Sequence, residues 1–410
     1  MSKQFYALLV LTAAVLAGCA TEEKKAEVKA EEQLVFSQLP FPADSLARYP
    51  HLLADEENNR LWMSWMVQHN SDSASLWMAE MDGATGIWKE PELVHAGKSL
   101  MVNWADYPHL LPNGKQPGVL FLQIADPTAP YAYHVMYKEA GKAAQRLHSD
   151  SSATEHGFVS AAALPGGRQG IVWLDGNKYA GAEDAHGHGH GGEMTLRFRS
   201  LAADGKLQQA TEVDGRTCDC CNTAMVATPE GAIVFYRDRS EEEIRDIYYT
   251  RYAAGSWSEP RPVHNDGWEM RACPVNGPAA DARGAKVAVA WFTGAGGNNR
   301  VQLRFSEDAG ESWGPVLVAD SLQPMGRVGV KLLSGGSALL SWLDGEGRLV
   351  LRQVNPEGQM GEIQPLADSL SSRKSGFPQL VRLNEKVYLA WTQPEPYTQL
   401  KLVEGKLAKK

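Results

Sequence analysis

The sequence predicts an all-β chain folded as a β-propeller of four-stranded blades, seven in number with six as the alternative. Three observations carry that expectation. A unit recurs at intervals of roughly 50 to 65 residues, its strands are short apolar or alternating runs bounded by Gly, Asn, Asp and Pro, and helical periodicity is absent over any useful length. A unit of this size cannot bury its apolar face alone, so copies must stack, and four strands per copy point to a ring of blades.

The first copy reads as strands over Tyr49–Leu53, Leu61–Met66, Leu76–Met81 and Trp88–Val94, and the second begins with the nearly identical Tyr107–Leu111. Later first strands begin at Ser160, Ala224, Pro278, Gly329 and Pro378. Second strands follow at Gly170–Leu174, Ile233–Tyr236, Val287–Phe292, Ala338–Leu343 and Val387–Trp391. Trp62, Trp65, Trp173, Trp291, Trp342 and Trp391 recur in second strands, which marks them as blade core. The last copy supplies only three clear strands, ending near Leu400–Val403, while Gln33–Leu39 is a spare strand at the front. Pairing of that front strand with the last copy would close the ring.

The N-terminus carries a separate message. A basic start at Lys3, an apolar run over Phe5–Leu16 and the small-residue sequence Leu16-Ala17-Gly18-Cys19 form a lipobox. Residues 1–18 are therefore expected to be a lipoprotein signal peptide, Cys19 the lipidated residue, 19–32 a charged tether, and 33–405 a single propeller domain. No later stretch approaches the ~20 apolar residues of a membrane span. The expected location is the cell envelope, on the extracytoplasmic side of a membrane, as a periplasmic or outer-membrane lipoprotein and a monomer. Forty Lys and Arg against 49 Asp and Glu give a net charge of −9, with no basic run, so a nucleic-acid partner has no electrostatic basis.

Four cysteines besides Cys19 fall in two short loops. Cys218, Cys220 and Cys221 lead into the first strand of the fourth copy, and Cys273 into that of the fifth. Counting five residues back from Ala161, Met225 and Pro278 reaches His156, Cys220 and Cys273, which predicts these side chains at one level around one mouth of the channel. The insertion holding His186, His188 and His190 lies between the second and third strands of the third copy, on that same face, and Met270, Trp268 and His264 accompany Cys273. Thiolates with imidazole suit copper(I) or zinc(II), and a thioether tilts the set toward copper. Disulfides, as Cys221 to Cys273 or Cys220 to Cys221, are the alternative in an oxidising compartment.

The run Ser306-Glu-Asp308-Ala-Gly310-Glu-Ser312-Trp313 resembles the Asp-box (BNR repeat) of sialidase-type propellers at every defining position, with degenerate versions at Met81–Trp88 and Ala254–Trp257. The resemblance implies a sialidase-like propeller whose Asp-box turns face away from the functional mouth. It also implies an exo-α-sialidase-like glycoside hydrolase or glycan-binding protein as the alternative function. Arg48, in Arg48-Tyr49-Pro50, looks like the first arginine of that family's substrate triad; Arg271 and Arg327 would supply the others, and Glu269 would partner Tyr397 or Tyr49. Trp104, with Asn103 and Asp106, would stack on a sugar or cap the channel. The expected partners are a membrane through the Cys19 lipid and either a metal ion or a glycan.

Overall fold

The computed structural model describes residues 34–43, 46–112, 114, 116–129, 131–180 and 192–407. The signal peptide, Cys19, the tether and His186, His188 and His190 lie outside the described residues. Seven antiparallel sheets follow one another along the chain, strands pairing with their sequence neighbours except Leu34–Gln38, which pairs with the last strand, and Arg261–Pro262, which pairs with Ile247–Ala253. Blades 1 to 6 begin with inner strands at Ala47–Asp55, His109–Leu111, His156–Leu164, Ala224–Thr228, Ala279–Arg283 and Gly326–Leu332. Blade 7 contains Gln379–Leu383, Lys386–Gln393 and Gln399–Leu407, and Leu34–Gln38 completes it as the outermost strand, in register from Leu34 opposite Leu407 to Gln38 opposite Val403. The expected seven blades and their closure by the N-terminal strand are thus present. The inner strands of all seven blades line a central channel of about 650 Å³.

Each second strand is covered by a neighbouring blade on both faces, which is why these runs are continuously apolar rather than alternating. Gly231–Arg237 and Ala338–Leu343 are buried at every position. Trp65, Trp173, Trp291 and Trp342 are among the largest fully buried side chains. A buried indole N–H needs an acceptor. Trp173, Trp291 and Trp342 donate to Asp175, Asp266 and Asp320 at 2.7–2.8 Å. The Asp-box turn is built as its residues require. Asp308 accepts from the Ser312 amide at 2.9 Å, Gly310 has φ 79°, and Trp313 packs edge-on against Phe235 and Tyr249 of blade 4.

Three inner strands share an irregularity that fixes the mouth. The ladder slips between Arg48 and His51, between Gly157 and Ser160, and between Gly326 and Gly329, and Tyr49, Phe158 and Arg327 sit there with φ of 51–54°. Such a bulge frees one backbone amide from the sheet. Each freed amide donates to the preceding blade in the ring, Tyr49 to Thr392, Phe158 to Asp106 and Arg327 to Asn276, all at 2.8 Å. The acceptor must pass close to the residue before the bulge. A Cβ on Gly157 would lie 1.8 Å from Asp106 Oδ2, and one on Gly326 2.3 Å from Asn276 Oδ1.

Gly157→Ala is therefore expected to displace the Asp106 cap and to lower stability by about 2–4 kcal/mol in denaturant unfolding. Gly97→Ala, where an added Cβ meets nothing within 4 Å, should stay within about 0.5 kcal/mol of wild type.

Candidate functional site

The leading loops of blades 4 and 5 meet at one mouth. The Cys218–Asn222 loop carries the chain from the outer strand of blade 3 (Thr211–Thr217) to the inner strand of blade 4, and its start is pinned by the Cys218 amide donating to the Arg237 carbonyl at 3.0 Å. Arg237 is fully buried and ties the blade 5 loop to blade 4. Its Nε and Nη2 donate to the Asn276 carbonyl at 3.0 and 2.6 Å, and its guanidinium lies 4.7 Å from the Trp268 ring centroid. These anchors bring the cysteines together. The sulfurs of Cys218, Cys220 and Cys221 lie within 4.8 Å of one another, Cys218 Sγ is 3.4 Å from Cys221 Sγ, and Cys273 is close enough to help raise the Cys220 pKa. All four are free thiols, with Cys218 and Cys221 buried and Cys220 and Cys273 partly exposed.

Charge around the cluster is asymmetric. Burial alone would raise the Cys218 pKa, but hydrogen bonds from Cys220 and Cys221 and the Arg245 guanidinium at 3.1 Å hold it well below the ordinary thiol range. Burial pushes the Cys220 and Cys221 thiols up, and the neighbouring Cys218 adds to that rise. The Arg245 guanidinium thus favours negative charge at Cys218 over the other two sulfurs. Arg245 is itself held by Glu243 at 2.8 Å, and Glu243 and Asp219 also grip Arg239 at 2.8 and 3.3 Å. Arg245, Arg239 and Asp219 were not singled out from the sequence, where they look like surface charges. A signal was present all the same, because Cys218 and Cys221 also form a Cys-x-x-Cys spacing.

His156 does not join the sulfurs. Its ring is fully buried, with Nε2 2.9 Å from Asp150 Oδ2, and it stacks on His148 at 3.9 Å. Burial pushes the carboxyl of Glu155, the residue before His156, up to a pKa of about 8; that carboxyl accepts from Tyr133 at 2.5 Å and feels the charges of Asp106, Asp219 and Cys218. Successive side chains of a strand point to opposite faces. An offset counted back through the blade 3 bulge and through irregular loops in blades 4 and 5 therefore matches no common direction. Met270 packs on the Trp268, Phe292 and Ala295 cluster, so its thioether is occupied in packing. His264 is partly exposed, 3.9 Å from Asp266.

The arginines separate in a similar way. Arg48 donates to Gln68 at 3.2 Å, and Arg48 and Arg327 both act on Tyr49, whose buried phenol is raised above its usual pKa by desolvation against their charges. Arg327 is buried beneath Trp104, 5.1 Å from that ring, and its Nη1 donates to Ser375 Oγ and the Gly376 carbonyl at 2.8 Å. Arg271 and Glu269 pair with each other at 3.3 Å in solvent, the arginine side chain 79% exposed, and Tyr397 is also exposed. Trp104 stacks on Phe377 at 6.0 Å and shares the Arg327 and Arg373 guanidinium groups, so it caps this side of the mouth.

No family model and no curated protein matches the sequence. Solved structures match in fold. The chain is similar to the BP39L lectin of Burkholderia pseudomallei, at 11% identity over 88% of this chain and 96% of that one, with a TM-score of 0.59. It also matches a mutant of the NanB sialidase of Streptococcus pneumoniae (14% identity, 90% and 70% of the two chains, TM-score 0.45) and an α-L-arabinanase of Penicillium chrysogenum (11%, 90% and 96%, TM-score 0.46). This chain is a seven-bladed β-propeller. At such identities the likeness speaks to the propeller fold alone.

Asp106 gives the mouth a pH dependence. Its Oδ2 caps the Phe158 amide while Oδ1 is buried without a partner, and burial raises its pKa to about 7 against the help of that amide. Folded, the carboxyl stays neutral over a range in which the unfolded chain ionises it. Its contribution to stability is therefore full below about pH 4 and is lost as pH rises toward 7. Asp106→Asn keeps the acceptor without the ionisation. Its unfolding free energy relative to wild type should rise between pH 4 and 7 by up to about 4 kcal/mol, measured by denaturant titration at each pH.

Proposed function

We propose that this chain is a cell-envelope protein, anchored through lipid on Cys19, that binds copper(I) or zinc(II) through Cys218, Cys220, Cys221 and Cys273. The observation that supports this most is the convergence of four free thiols from two blades, three of their sulfurs within 4.8 Å of one another. Thiolates are the ligands that soft and borderline metals prefer, and four of them make a closed site suited to holding or passing on a metal rather than activating water. A bound cation would displace the thiol protons of the cluster. Arg245 would offset part of the remaining negative charge. The His186, His188 and His190 run, which follows the second strand of blade 3 in the sequence, would capture metal for the cysteines.

A redox role at the same loop is the second reading. Cys218 and Cys221 place their sulfurs 3.4 Å apart, with Cys218 the one favoured as thiolate. Cys218 would attack a partner's disulfide, expelling one partner thiolate. Cys221, giving up its proton, would then attack Cys218 Sγ and expel the second, so that the partner is reduced to a dithiol as Cys218 and Cys221 are oxidised. The glycan-active alternative has weaker support. Two of its arginines flank Tyr49, but Arg271 stands in solvent and Arg327 is engaged by carbonyl and hydroxyl groups.

Full-length protein purified under reducing, anaerobic conditions should retain about one more equivalent of copper or zinc per chain than the chain with all four of these cysteines changed to Ser, by elemental analysis. The four thiols should resist alkylation until a chelator is added. Cys220→Ser with Cys273→Ser should lose that protection. Retention of no metal together with freely alkylated thiols, or recovery of two disulfides, would contradict the proposal.

A further inference from the structure

The junction of blades 2 and 3 gathers a second set of ligand-type side chains. His134 comes from the third strand of blade 2 (Tyr133–Lys138), His148 and Asp150 from the segment joining the blades, and His156 from the first position of the blade 3 inner strand. One ligand atom from each imidazole lies within 4.8 Å of the other two. The His134 ring stands 5.0 Å from His148 and 5.5 Å from His156. All three are withdrawn from water, with exposures of 7% for His134, 4% for His148 and 0% for His156.

Burial of this kind normally comes with hydrogen bonds, because a neutral imidazole carries one donor and one acceptor. Neither ring nitrogen of His148 has a partner, and neither has Nδ1 of His134. His156 shows which way the set is organised. Its Nδ1 faces the carbonyls of Tyr133 and Thr154 at 3.2 and 3.1 Å, which assigns the proton to that nitrogen. The Nε2 lone pair then points at Asp150 Oδ2, 2.9 Å away, with Asp175 Oδ1 at 3.6 Å. A lone pair held against carboxylates needs a cation between them. A metal ion would supply that cation and give the orphaned His148 and His134 nitrogens a partner, one ligand atom of each imidazole lying within 4.8 Å of the other two.

We propose that His134, His148, His156 and Asp150 form a metal site distinct from the cysteine cluster, taking a borderline divalent first-row ion such as zinc(II). Three imidazoles and one carboxylate are a donor set for such an ion rather than for copper(I). The Nδ1–H to carbonyl bond of His156 is the outer-shell contact that orients a ligating histidine. Asp175 stands behind it, fixed by the Trp173 indole at 2.8 Å. Asp150, with its side chain 28% exposed, opens the site to solvent.

The test uses the full chain with Cys218→Ser, Cys220→Ser, Cys221→Ser and Cys273→Ser, titrated with cobalt(II). About one equivalent should bind, with visible ligand-field absorption and no sulfur-to-cobalt charge-transfer band. His148→Phe keeps an aromatic ring in the stack, and in this background it should weaken binding by more than about 100-fold. No cobalt uptake, or equal affinity in the His148→Phe chain, would overturn the site. The count is repeated by elemental analysis with all cysteines intact, so that the outcome does not hinge on folding of the serine variant. There His148→Phe should hold one zinc fewer than wild type, and an equal zinc content would overturn the site whatever the cysteines bind.

Discussion

Every blade must bring its inner strand to the same channel, and the ring holds its shape because blades pass backbone amides to one another at the mouth. The amides freed at Tyr49, Phe158 and Arg327 are taken up by Thr392, Asp106 and Asn276 of the preceding blades. Asn222 adds a longer reach, its side-chain amide donating to the Ala105 carbonyl of the blade 2 loop at 2.9 Å. A buried amide without an acceptor is costly, so these caps fix where the leading loops run. Side chains on those loops inherit that placement.

Glu155 and His156 are adjacent, yet the carboxyl meets the Tyr133 hydroxyl while the imidazole joins the other histidines. Burial favours a neutral Glu155 carboxyl, which accepts from Tyr133 and so adds little negative charge to that felt by Cys218.

What was legible in the sequence is what depends on periodicity. The second-strand tryptophans, the Asp-box and the spare strand at Gln33–Leu39 all express a repeat, and each sits where the repeat requires. Side-chain direction at the mouth was not legible, because a bulge shifts the register by one residue and a loop has no period at all. Arg327 shows the difference. Just ahead of a first strand it resembles a substrate-binding cation, yet as the bulge residue it turns inward and satisfies the backbone around Ser375 and Gly376. His134 and His148 were passed over because one lies in an apolar strand and the other in a polar linker. Only the ring brings them to His156.

Sulfurs from two neighbouring blades are proposed to hold one metal ion. X-ray absorption at the metal edge of the copper- or zinc-loaded His148→Phe chain, which keeps the cysteine cluster alone, distinguishes this from other ligation. For zinc, a first shell dominated by three or four sulfurs at about 2.3 Å is expected. A first shell of nitrogen and oxygen alone would contradict it.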